Sequence, residues 1–480
     1  MRNAENRAEK LDRILRVLGD LSDSATKLKN LFKERMIACS SQYGFAKLPN
    51  EIVVKILKIT LDSWLLTRQR YQQSNEQLET LSLVCRRFRD IINSHAHFWT
   101  KFGNAWNPVA IAIALERSKG LSLELSLYSE ADWYHPITKF LTHTMHLRFE
   151  RVRSIHIEFA DYEGLPAEDW NTIFDALGIL RSANLPALEH FYMGVPTFTN
   201  YYPRARSPVK DDFCIYRTWN APSLQSLSIE GLIPIPHESL DLRQLVLCFG
   251  RLDKYLITNG QLSELLDFLS SQPRLQRLTL LPGAMDAEEA DMRRNATIHL
   301  PELTSLSLGS SKPESYPVII LSALSTPALE SVDIRTNLEG SDASLDTIFH
   351  GTYPSMKKLR LLVWGLDISP LAPFKTIFAK FPKLEFLQFS TPDPVDGELP
   401  TLLPSVVPPP LRAMELTFCK GLGVEELKQV LEFLKQGPHW DVFERLVIEK
   451  CGRIKSHIEE LYSLVPASKV TLRRKAPWQR

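Results

Sequence analysis

One short phrase, Pro-x-Φ-x-x-Φ-x-Φ with Φ apolar, constrains this chain more than any other feature. It reads "LPALEHFYM" (185–193), "APSLQSLSI" (221–229), "QPRLQRLTL" (272–280) and "LPELTSLSL" (300–308). It continues as "TPALESVDI" (326–334), "YPSMKKLRL" (353–361), "FPKLEFLQF" (381–389) and "PPLRAMELT" (409–417). From Pro273 through Pro301, Pro327, Pro354 and Pro382 to Pro409 the steps are 28, 26, 27, 28 and 27 residues. "FERLVIEKC" (443–451) and "SKVTLRR" (468–474) fit as degenerate final copies, with "VRSIHIEF" (152–159) and "LSLELSLY" (121–128) as early ones. A fixed period of this length marks a stacked array.

Helical patterns separate the copies: "AEDWNTIFDALGILRS", "GQLSELLDFLSSQ", "PLAPFKTIFAKF" and "VEELKQVLEFLKQG". Each unit thus reads strand, turn, helix, turn. A strand that crosses through a helix to a parallel neighbour does so right-handedly almost without exception. The expected fold is therefore α/β: a right-handed solenoid over residues 151–475, strands concave and helices convex, with residues 107–150 as connection and first degenerate repeat. Period-2 residues such as Leu278 and Leu280, or Leu306 and Leu308, face the helix of their own turn. No turn buries its apolar face alone, so stacking stabilises the array. A chain of 480 residues would otherwise suggest three domains at roughly 100–200 residues each.

Two helical segments precede the array. In residues 1–40, Leu11, Ile14, Leu18, Leu21, Ala25, Leu28 and Phe32 step alternately by 3 and 4, the spacing of a coiled-coil seam. That spacing suits a partner helix, self-association, or one amphipathic helix lying on the rest of the chain. In residues 45–106, Pro49 suits the first position of a helix, where its missing N–H had no partner. Ile52, Ile56 and Ile59 then make one apolar stripe, and Val53, Leu57 and Leu61 a second beside it. Together they are wider than the face a surface helix buries. A second helix is expected over "LETLSLVCRRFRDIINSHAHFW" (78–99), with Leu78, Leu81, Val84, Cys85, Phe88, Ile91 and Ile92 at helical spacing. Arg86, Arg87, Arg89 and Asp90 take its polar side, and Phe98-Trp99 closes the segment. A region of about 50–60 residues is marginal alone. Its surplus aliphatic surface calls for a partner to cover it.

"LPNEIVVKIL" followed by "LSLVCRRFRDIINSHAHFW" resembles the F-box, the small helical module that docks on the adaptor of cullin-based ubiquitin ligases. The resemblance implies adaptor contacts at Leu48, Pro49, Ile52, Ile56, Leu57, Leu81, Val84 and Cys85. The family usually has Trp where this chain has Phe88, and "DSWLLTRQRYQQSNEQ" (62–77) lengthens the connection between helices, which looks like the fungal-type branch. The repeats resemble the leucine-rich repeat, Leu-x-x-Leu-x-Leu-x-x-Asn/Cys, and keep its Asn or Cys at Asn337, Cys419 and Cys451. In that family this side chain hydrogen-bonds the loop backbone between turns. An F-box followed by such repeats implies a substrate receptor of an SCF-type ubiquitin ligase, with a Skp-type adaptor, through it a cullin, and an unknown protein target as partners. The alternative is a repeat scaffold outside any ligase, its 46–106 region capping the solenoid and hiding the stripe.

Nothing in the chain suggests catalysis. There is no Walker loop, no GxGxxG after a strand, no HExxH and no GxSxG. His143 and His146 could offer two nitrogens to a metal but lack companions, so a solvated or packing pair is the expectation, and no cofactor or metal is implied. With 57 basic and 56 acidic residues, no global field draws the chain to nucleic acid or to an anionic membrane. Six scattered cysteines without a CxxC pair suit reduced thiols, and no segment has a signal-peptide or membrane-spanning pattern, which implies a cytoplasmic or nuclear protein. Asn295-Ala-Thr297 is then a chance glycosylation match, and Arg473-Arg474-Lys475 is too short a basic tail to direct import. The insertion "PTFTNYYPRARSPVKDDFCIYRTW" (196–219) is rich in interface residue types, so Tyr201, Tyr202, Arg204, Arg206, Phe213, Tyr216 and Trp219 are candidate target contacts. "TPDPVDGELPTLLPSVVPPP" (391–410) reads as a spacer with polyproline character.

Overall fold

The phrase opens on proline because the chain turns there. In "QPRL" the Leu275 N–H donates to the Gln272 carbonyl at 3.2 Å, closing a turn with Pro273 in its second place. The ring presets φ near the −60° which that place requires, and it has no N–H to leave unpaired. The same bond closes Leu185–Leu188, Ala221–Leu224, Leu300–Leu303, Thr326–Leu329, Tyr353–Met356 and Phe381–Leu384, each with proline second. At Pro409 the turn tightens, and Leu411 N–H reaches the Pro409 carbonyl at 2.8 Å.

The computed structural model describes residues 26–31, 34, 47–65, 74–128, 137–145, 148–159, 175–194, 214–231, 233–237, 240–249, 256–257, 259–282, 284–285, 297–313, 316–337, 345–349, 351–364, 371–391, 407–455 and 457–473. Two units result: residues 1–100 with 112–119, and residues 101–111 with 120–480. The first holds helices α1 (Asn50–Leu65), α2 (Ser74–Val84) and α3 (Arg86–Ser94); α4 (Pro108–Arg117) straddles the division. Of the seven heptad positions in residues 1–40, Leu28 is described and exposed, and the others lie outside the described residues.

The second unit is built on one 14-stranded sheet. Its strands are β1 (Lys101–Gly103), β2 (Leu123–Tyr128), β3 (Val152–Glu158), β4 (His190–Gly194), β5 (Ser226–Glu230), β6 (Gln244–Phe249) and β7 (Arg277–Pro282). They continue as β8 (Ser305–Pro313), β9 (Ser331–Asn337), β10 (Lys358–Trp364), β11 (Phe386–Ser390), β12 (Ala413–Thr417), β13 (Arg445–Glu449) and β14 (Val470–Arg473). Neighbours pair in chain order and always in parallel. Two boundaries differ from expectation. The sheet begins at Lys101, inside the region read as helical, and β6 is a copy that the proline phrase does not flag. β6 has Leu240 where the phrase has proline, yet it keeps the apolar positions as Leu242, Leu245 and Leu247, all buried.

The phrase writes the core directly. Its second apolar position forms one register row, Leu278, Leu306, Val332, Leu359, Leu387, Met414 and Leu446. Its third forms another, Leu280, Leu308, Ile334, Leu361, Phe389, Leu416 and Ile448. Both rows are buried, as are Leu275, Leu303, Leu329, Met356, Leu384 and Leu411 at the first position. Each such side chain contributes about 1.5–3 kcal/mol by leaving water. Helices α5 (Asn259–Ser270), α6 (Tyr316–Ala323), α7 (Ala372–Lys380) and α8 (Val424–Gln436) return the chain between strands. Phe374 of α7 packs on Phe389 of β11 at 5.3 Å, and Phe378 stacks on Phe433 of α8 at 5.7 Å. In α8, Val424, Leu427, Val430, Leu431 and Leu434 make the buried stripe, while Glu425 and Glu426 at the start and Lys435 at the end suit the helix dipole.

Three details set the stacking. Gly103 of β1 must be glycine, because a Cβ there would lie 1.8 Å from the Ser126 carbonyl oxygen of β2. Just before the strands, Glu330, Lys357, Glu385, Arg412 and Glu444 follow one another on successive turns with alternating sign. Lys357 meets Glu330 at 2.7 Å, and Arg412 pairs with Glu444, each basic group held above its usual pKa by that bond. After β12 and β13 the chain turns through left-handed Phe418 and Lys450, both at φ 56°, with Lys450 Nζ 4.3 Å over the Phe418 ring. The following thiols stabilise those bends. Cys419 Sγ donates to the Phe389 carbonyl at 3.5 Å and Cys451 Sγ to the Leu416 carbonyl at 3.6 Å, each reaching back to the preceding turn.

Candidate functional site

The site is made by α1, α2 and α3. α1 starts directly after Pro49, whose carbonyl accepts the Ile52 and Val53 N–H groups at 3.1 and 3.2 Å. Arg87 holds this end in place. Its Nε and Nη2 donate to Asn50 Oδ1 at 3.0 and 2.7 Å, and Nη2 also donates to the Leu48 carbonyl. Arg87 lies in the first turn of α3, so one guanidinium pins the start of α1 to the junction of α2 and α3.

That junction corrects the expectation of one continuous helix over 78–99. α2 stops at Val84, Cys85 is extended at φ −160° and ψ 166°, and α3 begins at Arg86. Cys85 serves as the N-cap: its Sγ accepts the Phe88 N–H at 3.5 Å and its carbonyl accepts the Arg89 N–H at 3.2 Å. Past α3, the Trp99 indole N–H donates to the Ile92 carbonyl at 2.8 Å. The Arg117 guanidinium covers the Trp99 ring at 4.6 Å and bonds Asn93 Oδ1 at 2.6 Å.

Burial separates the two stripes of α1. Val53 and Leu57 are 0% and 2% exposed and belong to the core. Ile52 and Ile59 are 39% and 68% exposed, with Ile56 half-buried between them. At the end of α2, Leu83 and Val84 are 74% and 62% exposed. Of the remaining candidates, Pro49 and Cys85 are exposed, while Leu48 and Leu81 are half-buried. Leu57 is therefore corrected from surface residue to core residue. Ile59 and Leu83 join the exposed set. Ile59 was legible as the third member of its stripe, whereas Leu83 sits one residue off the Leu78–Leu81–Val84 spacing and carried no signal.

The candidate target contacts fare differently. Tyr201, Tyr202, Arg204, Arg206 and Phe213 lie outside the described residues. Tyr216 and Trp219 are buried and fill the core instead of presenting a surface. The Tyr216 hydroxyl donates to the Ile235 carbonyl at 3.1 Å and accepts its N–H at 2.7 Å, and burial holds the phenol far above its usual pKa. The Trp219 indole donates to the Leu180 carbonyl at 2.7 Å, with its ring edge-on to Phe191 at 4.8 Å. Among the described residues no group of three or more His, Cys, Asp or Glu side chains could hold a metal ion, and the His143 and His146 side chains lie outside them. No helix of the described residues is long and apolar enough to cross a membrane.

Residues 45–104 match the F-box-like family model, a span that takes in α1, α2, α3 and β1. The chain carries an F-box-like region. F-box regions in general bind a Skp-type adaptor, and through it a cullin, as substrate receptors of the SCF type. No curated protein sequence matches the chain. Among solved structures it is similar to a protein from Bacteroides fragilis at 13% identity, covering 71% of each chain with a TM-score of 0.27. That likeness is too distant to carry an argument.

Proposed function

We propose that this chain is the target-selecting subunit of an SCF-type, cullin-based ubiquitin ligase. Its F-box-like region docks on the Skp-type adaptor and its repeat array holds the target protein. The observation that carries this reading is the divided α1: Val53 and Leu57 are buried while Ile52 and Ile59 stand open, as do Leu83 and Val84 of α2. Open aliphatic side chains gathered in a small helical region mark a protein-binding surface. The docking set is then Leu48, Pro49, Ile52, Ile56, Leu81, Val84 and Cys85, joined by Ile59 and Leu83, with Leu57 supporting α1 from beneath.

The array curves as a right-handed arc, strands on the concave side and helices on the convex side, and the target lies against the strands. The chain does no covalent chemistry. It accelerates ubiquitin transfer by raising the target's effective concentration beside the activated ubiquitin, to the millimolar range typical of tethered partners. A cullin-bound receptor works in the cytoplasm or nucleus. The test is co-purification with the adaptor, wild type against the double variant Ile52→Asp with Val84→Asp. Unpaired carboxylates in a desolvated interface cost about 3–5 kcal/mol, so capture should fall by at least about a hundredfold with the melting temperature unchanged. Equal capture by both proteins would refute the assignment.

A further inference from the structure

The sheet face opposite the buried rows holds a cavity of about 860 Å³ among the last turns of the array. Its walls include Arg360 and Trp364 of β10, Ser390 of β11, Glu415 of β12, Glu449 of β13 and Arg473 of β14. Ser390, Thr417, Glu449 and Arg473 are consecutive members of one register row, so the cavity floor is fixed by strand pairing and not by a loop.

Two buried groups of that row have no partner. Glu449 is 2% exposed and its Oε1 meets no donor; Ser390 is 3% exposed and its Oγ is also unpaired. Elsewhere on this face the buried carboxylates are satisfied. Glu415 accepts from Arg445 Nη2 at 2.9 Å, and Glu230 of β5 accepts the Tyr192 hydroxyl at 2.8 Å. A carboxylate accepts hydrogen bonds and cannot donate them. Burying it without a donor is costly, and the cost is offset when a cation arrives with N–H groups to give. The half-buried Trp364 offers an apolar wall along which an aliphatic stem can lie. Arg360 and Arg473 add positive charge to the same walls, which disfavours a run of cations and suits acidic neighbours.

We infer that this cavity receives a Lys or Arg side chain of the target polypeptide, seated on Glu449 and Ser390, with acidic residues flanking it in the target sequence. This rests on the reading that the array holds a protein target, and it adds the chemistry by which the target is chosen.

The probe is a set of N-acetylated, C-amidated nonapeptide pools, each fixed at the central residue as Lys, Arg, norleucine or Glu. Pools are passed over the full chain, and adaptor capture is recorded on the same preparations. The Lys or the Arg pool should be retained roughly fivefold over norleucine, the level expected of one partly buried ion pair. The preference should vanish in Glu449→Gln and weaken in Ser390→Ala, the second variant keeping the test alive if the first fails to fold. The flanking positions of retained peptides should be enriched in Asp and Glu. Equal or absent retention of all pools overturns the inference, as does a basic preference that survives both substitutions. If adaptor capture stays intact in those outcomes, the cavity assignment alone fails; if wild-type capture is absent, the receptor reading fails.

Discussion

The helices of residues 50–94 and the strands of residues 101–473 are written in similarly apolar sequence, yet their side chains end in opposite states. In the strands, Leu278, Leu306, Val332, Leu359 and Leu387 succeed one another and all are buried. In the helices, Val53 and Leu57 are buried while Ile52 and Ile59, one residue before and two after, are not. The difference lies in supply of cover. Every inner strand of the array has a parallel neighbour on each side, so the apolar residues of its buried rows find partners within the chain. A short helical region has no such succession, and what it cannot bury it presents to another molecule. Hydropathy says that a residue needs covering; the architecture decides who covers it.

That contrast is open to attack. The largest expected effect is Phe389→Ala, which empties the place where α7 meets β11 and should cost about 3–5 kcal/mol in chemical unfolding. Ile59→Ala should stay within about 0.5 kcal/mol in the same assay, and comparable costs at the two sites would erase the distinction. Next, Val84→Ala should leave unfolding unchanged but weaken adaptor binding by about 1 kcal/mol, roughly fivefold in calorimetric Kd. Arg87→Ala removes three hydrogen bonds at the start of α1 and should cost about 1 kcal/mol, seen as faster hydrogen exchange at the Ile52 and Val53 amides. Smallest is Lys357→Glu, which places three acids in succession at Glu330, 357 and Glu385; it should lower the melting temperature slightly at low salt, and added salt should restore it.

Much of the array was legible because one phrase does three jobs. Pro presets the turn, and the three apolar positions after it form the buried layers, so pattern and packing coincide at Leu275, Leu278 and Leu280. At β6, where Leu240 takes the place of proline, the phrase does not mark the copy, although Leu242, Leu245 and Leu247 keep the packing. β1 was missed because three residues carry no period. At the candidate site the two stripes of α1 were visible, but which of them faces inward depends on α2 and α3, and Leu57 fell on the buried side. The break at Cys85 was hidden since a thiol cap lies on a helical spacing that continues through it. Tyr216 and Trp219 show the opposite error: aromatic residues typical of interfaces are also the largest pieces available to fill a core.

The most direct measurement is site-resolved alkylation of the full chain with and without the adaptor. Cys85 is exposed and belongs to the proposed docking set, and Cys248 is an internal standard. Burial, then the nearby Glu230 charge, pushes the Cys248 thiol up to about 11. A raised pKa keeps a thiol protonated, so only about one Cys248 in a thousand is thiolate at pH 8, and its labelling should climb as pH approaches that value. With adaptor at tenfold over its Kd, Cys85 labelling should slow roughly tenfold while Cys248 labelling stays the same. Cys85 reacting at the same rate in the adaptor-bound chain would contradict the claim that this open aliphatic surface is the docking site.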